Sequence, residues 1–418
     1  MAANLLSAAA TPGELADRPG IREALQWFTR EKQWVNDQHL QLCRVAAPTF
    51  LEQQRAEWML AQFRSIGWHA AIDRAGNVLA SLGADLSDRM VAITAHLDTV
   101  LAPRTKEDVA IDRDGDLRGP GVSDNGAGLA ALLAIARCVK SVPPSSDSLH
   151  GLWNRLLLIA NVGEEGEGNL SGIRYVCRQS DLLSRISAFL VLDGAATDHI
   201  TSQALGSRRF EVSFTGPGGH SWSDFGIGNP VHALSRAVAS FVDHRPLDPR
   251  TTPKVSINVG LLEGGSSVNS IAAAARAKID IRSESNEKIE ELVVSLHSAV
   301  ARAEEIENAR AVGNKVAAKI REIGNRPAAK LPSDAAVLHH IRAVDAHLGI
   351  RARLDCASTD ANIPLSLGVP AISIGAGGQG GGAHTTSEWY RPDGRDLGLK
   401  RILLTAALLL KDSEKDAV

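Results

Sequence analysis

Histidines and carboxylates stand at the ends of short apolar runs throughout this sequence. These residues are His96 with Asp98, Asp124, the adjacent pair Glu164 and Glu165, Asp193, and the later His384. In an open α/β sheet, ligands bind beyond the carboxyl ends of the strands, so groups far apart in sequence can converge there. Two imidazoles and several carboxylates form a donor set that suits divalent ions such as zinc. The pattern therefore predicts a metal centre.

Each of these segments also has a simpler interpretation. A lone His-x-Asp beside a strand is often a surface turn, and the pair Glu164 and Glu165 could be a solvated strand end. Asp193 precedes Gly194 and could be a turn residue. Two adjacent, partly buried acids repel one another, however, and a nearby cation would relieve that repulsion. The combination of all the segments in one chain favours the metal centre.

The segments also occur as longer motifs in a characteristic order. They are His96-Leu-Asp98-Thr-Val, Gly-Val-Ser-Asp124-Asn125-Gly-Ala-Gly, Gly163-Glu164-Glu165-Gly, Gly218-Gly-His220-Ser, Ser358-Thr-Asp360-Ala-Asn and Gly-Gly-Ala-His384-Thr-Thr-Ser-Glu388-Trp-Tyr. In this order they resemble the zinc aminoacylase-type metallopeptidases, a family that includes peptidase T, glutamate carboxypeptidase, carnosine-type dipeptidases and succinyl-diaminopimelate desuccinylase. The resemblance covers roughly residues 45–410. The last motif and Gly206-Ser-Arg-Arg look most like the peptidase T-like branch.

The resemblance implies two Zn²⁺ ions per chain, in a site whose ligand types also accept Co²⁺ or Mn²⁺. His96 and Asp193 would hold one ion, Glu165 and His384 would hold the other, and Asp124 would bridge both. Three protein ligands on each metal leave open positions for water and substrate. A site that holds only one zinc in the cell is the mononuclear alternative.

The resemblance also implies roles for residues beside the ligands. Asp98 would accept the hydrogen bond of the His96 ring and so fix its tautomer. Glu164 would be the general base, taking a proton from a zinc-bridging water and passing it to the leaving amine. In this family a cis peptide follows the bridging aspartate, so Asp124-Asn125 is a candidate for one.

Three further residues match family positions that handle the substrate. His220 would reach an active site, often that of a partner subunit, and polarise the oxyanion, although it could simply cap a glycine turn. Asn269 and Arg282 match positions that bind the substrate backbone and its carboxylate, a task that suits the planar fork of arginine. The run Ser-Ile-Ala-Ala-Ala-Ala after Asn269 departs from the family's commoner Val-Ile-Pro.

Alternating short β-type and helical runs must position these side chains. Runs such as Met90–Ala95, Leu156–Val162 and Phe189–Leu192 alternate with helical patterns, which predicts an α/β sheet flanked by helices. After Gly206 the order of runs becomes βαββαβ. We therefore expect an α/β fold with a discontinuous catalytic domain, residues 1–206 and 327–418, built on a mixed, mainly parallel sheet. Residues 207–326 would form an inserted α+β lid or dimerisation domain.

Two local predictions concern the first part of the chain. The apolar spacing across residues 20–44 predicts one amphipathic helix. Thr49, with Glu52 three residues later, matches a capping box for the helix that follows.

Composition sets limits on the class of protein. The chain has 418 residues, 44% hydrophobic residues and a formal net charge of −3, which is typical of a globular protein and argues against nucleic-acid binding. No apolar run approaches the ~20 residues of a membrane span, and residues 1–20 lack a secretory pattern. The four cysteines form no Cys-x-x-Cys pair. We expect a cytoplasmic protein without a membrane or nucleic-acid partner.

These observations predict a metal-dependent hydrolase that cleaves an amide bond in di- or tripeptides, with aminopeptidase-type specificity and a homodimer formed through the inserted domain. The alternative within enzymes is an amidohydrolase that deacylates N-acyl or N-carbamoyl amino acids. A more remote alternative is a non-catalytic relative that binds peptides. A complete set of ligands together with Glu164 argues against the last.

Overall fold

The computed structural model describes residues 10–83, 89–141, 151–243, 250 and 252–415. Contacts divide the chain into two compact units, 1–203 with 330–418, and 204–329. No helix within the described ranges is long and apolar enough to cross a membrane. The catalytic and dimerisation roles predicted for the two parts of the chain stay predictions.

Helices and strands alternate along most of the chain. The helices are α1 Pro12–Ala16, α2 Pro19–Arg30, α3 Lys32–Cys43, α4 Gln53–Ile66, α5 Gly126–Ser141, α6 Ser171–Arg178, α7 Pro230–Val242, α8 Asn286–Arg310, α9 Ala336–Leu348, α10 Asn362–Ser366 and α11 Arg395–Lys415. The strands are β1 His69–Ile72, β2 Val78–Ser81, β3 Met90–His96, β4 Ala110–Ile111, β5 Leu117–Arg118, β6 Leu156–Asn161, β7 Ile186–Leu192, β8 His199–Ala204, β9 Gly206–Thr215, β10 Gly219–His220, β11 Val255–Gly264, β12 Ser270–Ile271, β13 Ala274–Ser283, β14 Ala317–Arg326, β15 Ala329–Lys330, β16 Arg353–Ala357, β17 Ala371–Ile374, β18 Gln379–Gly381 and β19 Trp389–Arg391.

The first unit is built on a mixed sheet with strand order β1-β2-β6-β3-β7-β17-β8-β15, and β16 pairs with β8. The central strands β6, β3, β7 and β17 run parallel. Parallel strands covered on both faces are continuously apolar, and every residue of β3 is buried. The first unit also has a smaller sheet of order β18-β19-β5-β4, and His384 lies in the loop between β18 and β19.

The second unit has a four-stranded antiparallel sheet of order β11-β13-β9-β14, against which α7 and α8 pack. Phe210, Val212 and Phe214 alternate along β9 and enter its core. The chain order β9, α7, β11, β13, α8, β14 is the predicted βαββαβ series. The α/β fold class, with a mixed sheet and an inserted α+β region, is confirmed.

The single helix predicted over residues 20–44 is wrong, because the chain forms α2 and α3 with a break at Glu31. Glu31 adopts φ −98° and ψ 26°, outside the helical region. A continuous helix would place Glu31 and Lys32 three and four residues after the buried Phe28, on the face that packs inward. Two charged residues cannot be buried there without partners, which favours a change of direction.

The capping box predicted from Thr49 and Glu52 is also wrong. Helix α4 begins at Gln53 with Glu52 as its N-cap and no side-chain cap. The Glu52 carboxylate instead accepts hydrogen bonds from the backbone N–H groups of Phe50 and Gly163. The Thr49 hydroxyl donates to the Asp98 carboxylate.

Candidate metal centre

His96 is the last residue of β3 and pairs in register with Asn161 at the end of β6. Its Nδ1 lies 2.9 Å from the main-chain oxygen of Asp98 and 3.6 Å from the Asp98 carboxylate. The ring therefore donates to the carbonyl of Asp98 rather than to its side chain, contrary to the prediction. The tautomer is still fixed, because a donating Nδ1 leaves Nε2 with a free lone pair for a ligand.

The Asp98 carboxylate holds the two adjacent glutamates in place. It accepts hydrogen bonds from the backbone N–H groups of Glu164 at 3.0 Å and Glu165 at 2.9 Å. The Thr49 hydroxyl donates to the same carboxylate at 3.0 Å. Asp98 is fully buried, so these donors replace the water that its charge would otherwise require. Asp98 thus orients the backbone that carries the two acids.

Asp124 lies in the loop before α5, and the Asp124-Asn125 peptide bond is cis, as the family resemblance implied. The Asn125 amide donates to the carbonyl of Leu192 at 2.8 Å, and its oxygen accepts from the N–H of Gly194 at 3.2 Å. These two residues flank Asp193. Asn125 therefore ties the loop of Asp124 to the end of the strand that carries Asp193.

The predicted ligands meet as two groups of three, and Asp124 belongs to both. In the first group, Nε2 of His96 lies 3.1 Å from Oδ1 of Asp124 and 3.8 Å from Oδ1 of Asp193. In the second, Nε2 of His384 lies 3.1 Å from Oδ2 of Asp124 and 2.9 Å from Oε1 of Glu165. The two oxygens of Asp124 thus face different imidazoles.

Opposite charges in the site shift the pKa values of its members. Burial works to raise the pKa of Asp124, but His384, through a hydrogen bond, and His96, through its proximity, outweigh burial and lower it. The hydrogen bond to Asp124 raises the pKa of His384 to about 9. Burial lowers the pKa of His96, yet the surrounding carboxylates raise it well above its ordinary value. The carboxylates therefore favour positive charge at both imidazoles, and a metal ion would compete with their protons.

The donor set fits a pair of divalent cations. Oδ1 of Asp124 is buried and accepts no hydrogen bond from any described residue, although it lies 3.1 Å from Nε2 of His96. A buried carboxylate oxygen without a donor is costly, and a shared cation would satisfy both it and the imidazole nitrogen. The imidazoles and carboxylates are the ligand types that zinc, cobalt and manganese accept.

Glu164 lies beside these groups and is only 5% exposed. It can also form a group of three with His96 and Glu165, so its position alone is compatible with a ligand as well as with a base. Metal retention in a Glu164 variant separates the two roles.

His384 reaches the site from a loop between β18 and β19. Its φ is +64°, a left-handed conformation that non-glycine residues seldom adopt and that costs on the order of 1–3 kcal/mol. Gly382, two residues earlier, also has a positive φ, and a Cβ there would come within 3.1 Å of the Ser387 carbonyl. The glycine-rich segment therefore permits a tight turn that turns the imidazole toward Asp124 and Glu165.

The three predicted substrate residues belong to the second unit. His220 pairs with Ser270 in the β10–β12 ladder, and the adjacent Ser221 donates its N–H to the carbonyl of Asn269 at 2.9 Å. Nδ1 of His220 accepts from the backbone N–H groups of the two residues after Ser221, which leaves Nε2 as a donor. Arg282 lies on β13 and donates from Nε to Asp280 at 2.6 Å.

Sequence reasoning missed several residues that support the site, among them Thr49 and Glu388. The Glu388 carboxylate accepts hydrogen bonds from three backbone N–H groups of the loop that contains Asp124. Glu388 stood inside a recognised motif, and an acid so close to His384 was the available signal. Thr49 gave no such signal, because its spacing from Glu52 matched a different motif.

Two domain models match the chain. A peptidase dimerisation domain matches residues 204–308, and peptidase family M28 matches residues 77–218. The cytosol non-specific dipeptidase of Escherichia coli (strain K12) is 25% identical over 274 residues, which are 57% of this chain and 53% of that protein. A probable carboxypeptidase of Uncinocarpus reesii is 26% identical over 212 residues, 46% of this chain and 45% of that protein. The chain spans about half the length of the curated relatives it matches.

Solved structures share the fold over nearly the whole chain. A tripeptidase from Staphylococcus aureus superposes with a TM-score of 0.70 at 18% identity, covering 91% of this chain and 99% of the other. An aminopeptidase from Bacillus cereus gives 0.68 at 18% identity, covering 90% and 98%. An amidase of the hydantoinase/carbamoylase family from Burkholderia vietnamiensis gives 0.66 at 17% identity, covering 90% and 96%. The fold is thus shared by peptidases and by amidases.

Proposed function

We propose that this chain hydrolyses an amide bond in di- or tripeptides, as the resemblance to the aminoacylase-type metallopeptidases implies; the two domain matches, the dipeptidase relative and the shared fold support this. The observation that carries the proposal is the pair of three-residue groups that share Asp124. His96 and Asp193 would hold one divalent cation, and Glu165 and His384 the other. When bound, these cations would lower the pKa of a water molecule and polarise the substrate carbonyl.

The chain's own side chains supply the remaining chemistry. Glu164 is the general base, because it is buried and held beside Glu165 by the Asp98 carboxylate. It takes a proton from the attacking water and delivers it to the leaving amine. His96 keeps Nε2 toward the other ligands because its Nδ1 donates to the Asp98 carbonyl.

His220, Asn269 and Arg282 are proposed to act on the substrate. The Nε2 donor of His220 is suited to a developing oxyanion, and its Nδ1 is already occupied by backbone donors. Arg282 donates from Nε to Asp280, so its terminal nitrogens would bind the substrate carboxylate. The dimerisation-domain match supports a homodimer as the assembly. The dipeptidase relative supports a cytoplasmic setting.

A mixed substrate panel tests the proposal. Zinc-loaded protein is incubated with di- and tripeptides that carry free or blocked amino ends, and with N-acetyl and N-carbamoyl amino acids, each with a chelator control. Chelator-sensitive cleavage of peptides with free amino ends supports the aminopeptidase proposal. Preference for blocked substrates would move the protein to the amidohydrolase alternative, and no cleavage with metal bound would favour the non-catalytic one.

A further inference from the structure

The loop that carries Asp124 is fastened to one buried carboxylate. Glu388 is 2% exposed and precedes β19. Its Oε1 accepts the backbone N–H groups of Ser123 at 2.7 Å and Asp124 at 2.8 Å, and its Oε2 accepts that of Gly121 at 2.8 Å. Its main-chain carbonyl accepts the N–H of Gly119 at 3.0 Å. One residue thus satisfies four donors of a single loop.

The loop has little regular structure of its own that could fix its shape. Gly119 and Gly121 both have positive φ, and a Cβ on Gly121 would lie 2.5 Å from Cγ2 of Thr99. Such glycines leave the unfolded backbone many conformations to lose, so the native shape must be imposed by contacts. The charge-assisted bonds to Glu388 are the strong contacts of this kind, since bonds to a carboxylate exceed neutral ones.

Glu388 also stands four residues after His384 in the same turn. One end of this segment supplies an imidazole to the second ligand group, and the other end holds the backbone of Asp124. We propose that Glu388 is a positioning residue that sets the spacing between Asp124 and His384 for the cation they share with Glu165. The inference rests on the proposed function, since it concerns the same metal centre. Glu388 itself belongs to none of the ligand groups formed by the described residues.

The test measures Co²⁺ binding, independently of catalysis. Metal-free parent, Glu388→Gln and Glu388→Asp are titrated with Co²⁺, and the d–d absorbance of the bound ion reports its coordination. Gln keeps the size of the side chain but replaces one acceptor oxygen with a donor, and Asp keeps both oxygens on a shorter stem. In both Glu388 variants we expect the affinity for the more weakly bound Co²⁺ ion to fall by about 10- to 100-fold, together with a change in the d–d absorbance spectrum. A loss of this size is typical when a hydrogen-bond partner of a metal ligand is removed.

Asp73→Asn is the matched control. Oδ1 of Asp73 also accepts three backbone N–H groups, those of Ala75, Gly76 and Asn77, in the turn between β1 and β2. As in Glu388→Gln, the amide keeps one acceptor oxygen and removes the negative charge, and the bond that Oδ2 accepts from the Asn77 amide is lost. The change lies outside the ligand groups, so the Co²⁺ titration and spectrum of this variant should match those of the parent. The melting temperature of each metal-free variant confirms that it is folded.

The outcomes separate this inference from the proposed function. A parent that binds no Co²⁺ would overturn both. A parent that binds Co²⁺ while either folded Glu388 variant shows the same affinities and spectrum would overturn the positioning role alone. An equal loss of affinity in Asp73→Asn would also overturn it, because the effect would then be general destabilisation.

Discussion

At the scale of single residues, the candidate site separates two neighbouring acids by what holds them. Glu164 and Glu165 are both buried and share the Asp98 carboxylate as the acceptor for their N–H groups. Glu165 faces His384 at 2.9 Å, and burial raises its pKa. Glu164 forms a group of three with His96 and Glu165 instead. Adjacent acids with different neighbours can therefore take different roles, one as a ligand and one as a base.

Removing the base should stop turnover without removing the metal. For Glu164→Gln we expect turnover to fall at least ~100-fold while both cations stay bound, because losing a general base typically costs this much. Steady-state kinetics and metal analysis of the same sample check both parts. Glu167→Gln, an exposed acid three residues on, is the control and should behave as the parent. Loss of a cation in Glu164→Gln would make Glu164 a ligand instead.

The sequence allowed the ligand set to be proposed because each ligand follows an apolar run in a recognisable motif. It did not predict the contacts that orient them, which join residues far apart in the chain. Thr49 reaches Asp98 from 49 positions away, and Glu388 reaches Gly121 across 267 positions. Such pairs depend on how loops pack, and local spacing carries no information about that packing.

At the scale of elements, helix α5, which begins two residues after Asp124, packs closely against α3. A Cβ on Gly126, its first residue, would lie 2.4 Å from Sγ of Cys43 and 2.6 Å from the carbonyl oxygen of Gly121. The absence of a side chain therefore determines how near α5 approaches the ligand loop. Gly126 belongs to a motif that the family resemblance identified. The structure adds the reason for a glycine here, because a side chain would collide with its neighbours.

Gly126→Ala tests this close packing. We expect a loss of ~1–3 kcal/mol in the free energy of unfolding, since the added methyl group overpacks a buried contact. Urea unfolding of the metal-free protein measures it. Gly151→Ala serves as the control, because a Cβ there meets no atom of the described part of the chain within 4 Å, and its change should stay within ~0.5 kcal/mol. Equal stability of the two variants would show that α5 can shift to make room.

His39 joins three elements and gives the protein a pH dependence. Its Nε2 donates to the carbonyl of Val122 at 2.7 Å, and its Nδ1 accepts from Arg395 of α11 at 2.7 Å. The ring also contacts Tyr390 edge to face. Burial first, and then the charge of Arg395, lowers the pKa of His39 well below its ordinary value. The native ring is therefore neutral, whereas the unfolded chain takes up a proton near pH 6.5.

This difference stabilises the native state above pH 6.5 and is lost as the pH falls below it, because protons then bind preferentially to the unfolded chain. Between pH 7 and pH 5 a ring that stays neutral would account for a loss of at most ~2 kcal/mol. Urea unfolding across this range should show a shallower pH slope for His39→Gln than for the parent. Parallel slopes would mean that native His39 takes up the proton as readily as the unfolded chain does.

Element boundaries were predicted well where periodicity was strong and poorly where charge interrupted it. The central strands lie where the apolar runs placed them, since fully buried segments leave few alternatives. The break at Glu31 and the start of α4 depended on which charged side chains could be solvated or paired. Those outcomes follow from tertiary contacts rather than from local pattern.

At the scale of the whole molecule, the first unit is interrupted by the second and then resumes. Strands β8 and β15 are neighbours in the large sheet, and the N–H of Leu331 donates to the carbonyl of Ser202 at 2.9 Å. The chain therefore leaves and re-enters the first unit at adjacent points. An insertion with adjacent ends adds a compact unit while the ladder of the first remains intact.

A complementation experiment tests the predicted homodimer and the role of His220. His220→Ala and His384→Ala should each lose most activity when measured alone. Mixed and reassembled, they should regain activity, because a heterodimer pairs an intact ligand set with an intact His220 from the partner subunit. Sedimentation analysis checks that dimers form. A fully active monomer, or mixed dimers with no regained activity, would contradict this assembly.

The separation between Asp124 and His384 has a consequence for a chain that is still being made. These two residues lie 260 positions apart, with the whole second unit between them. Synthesis proceeds from the amino end at ~5–20 residues per second, so the first ligand group can form well before His384 leaves the ribosome. The second group, and with it the complete proposed metal centre, forms only after the last strand of the large sheet and the turn that contains Glu388 have been made. A nascent chain would thus carry only part of the proposed metal centre while other unfinished proteins lie beside it.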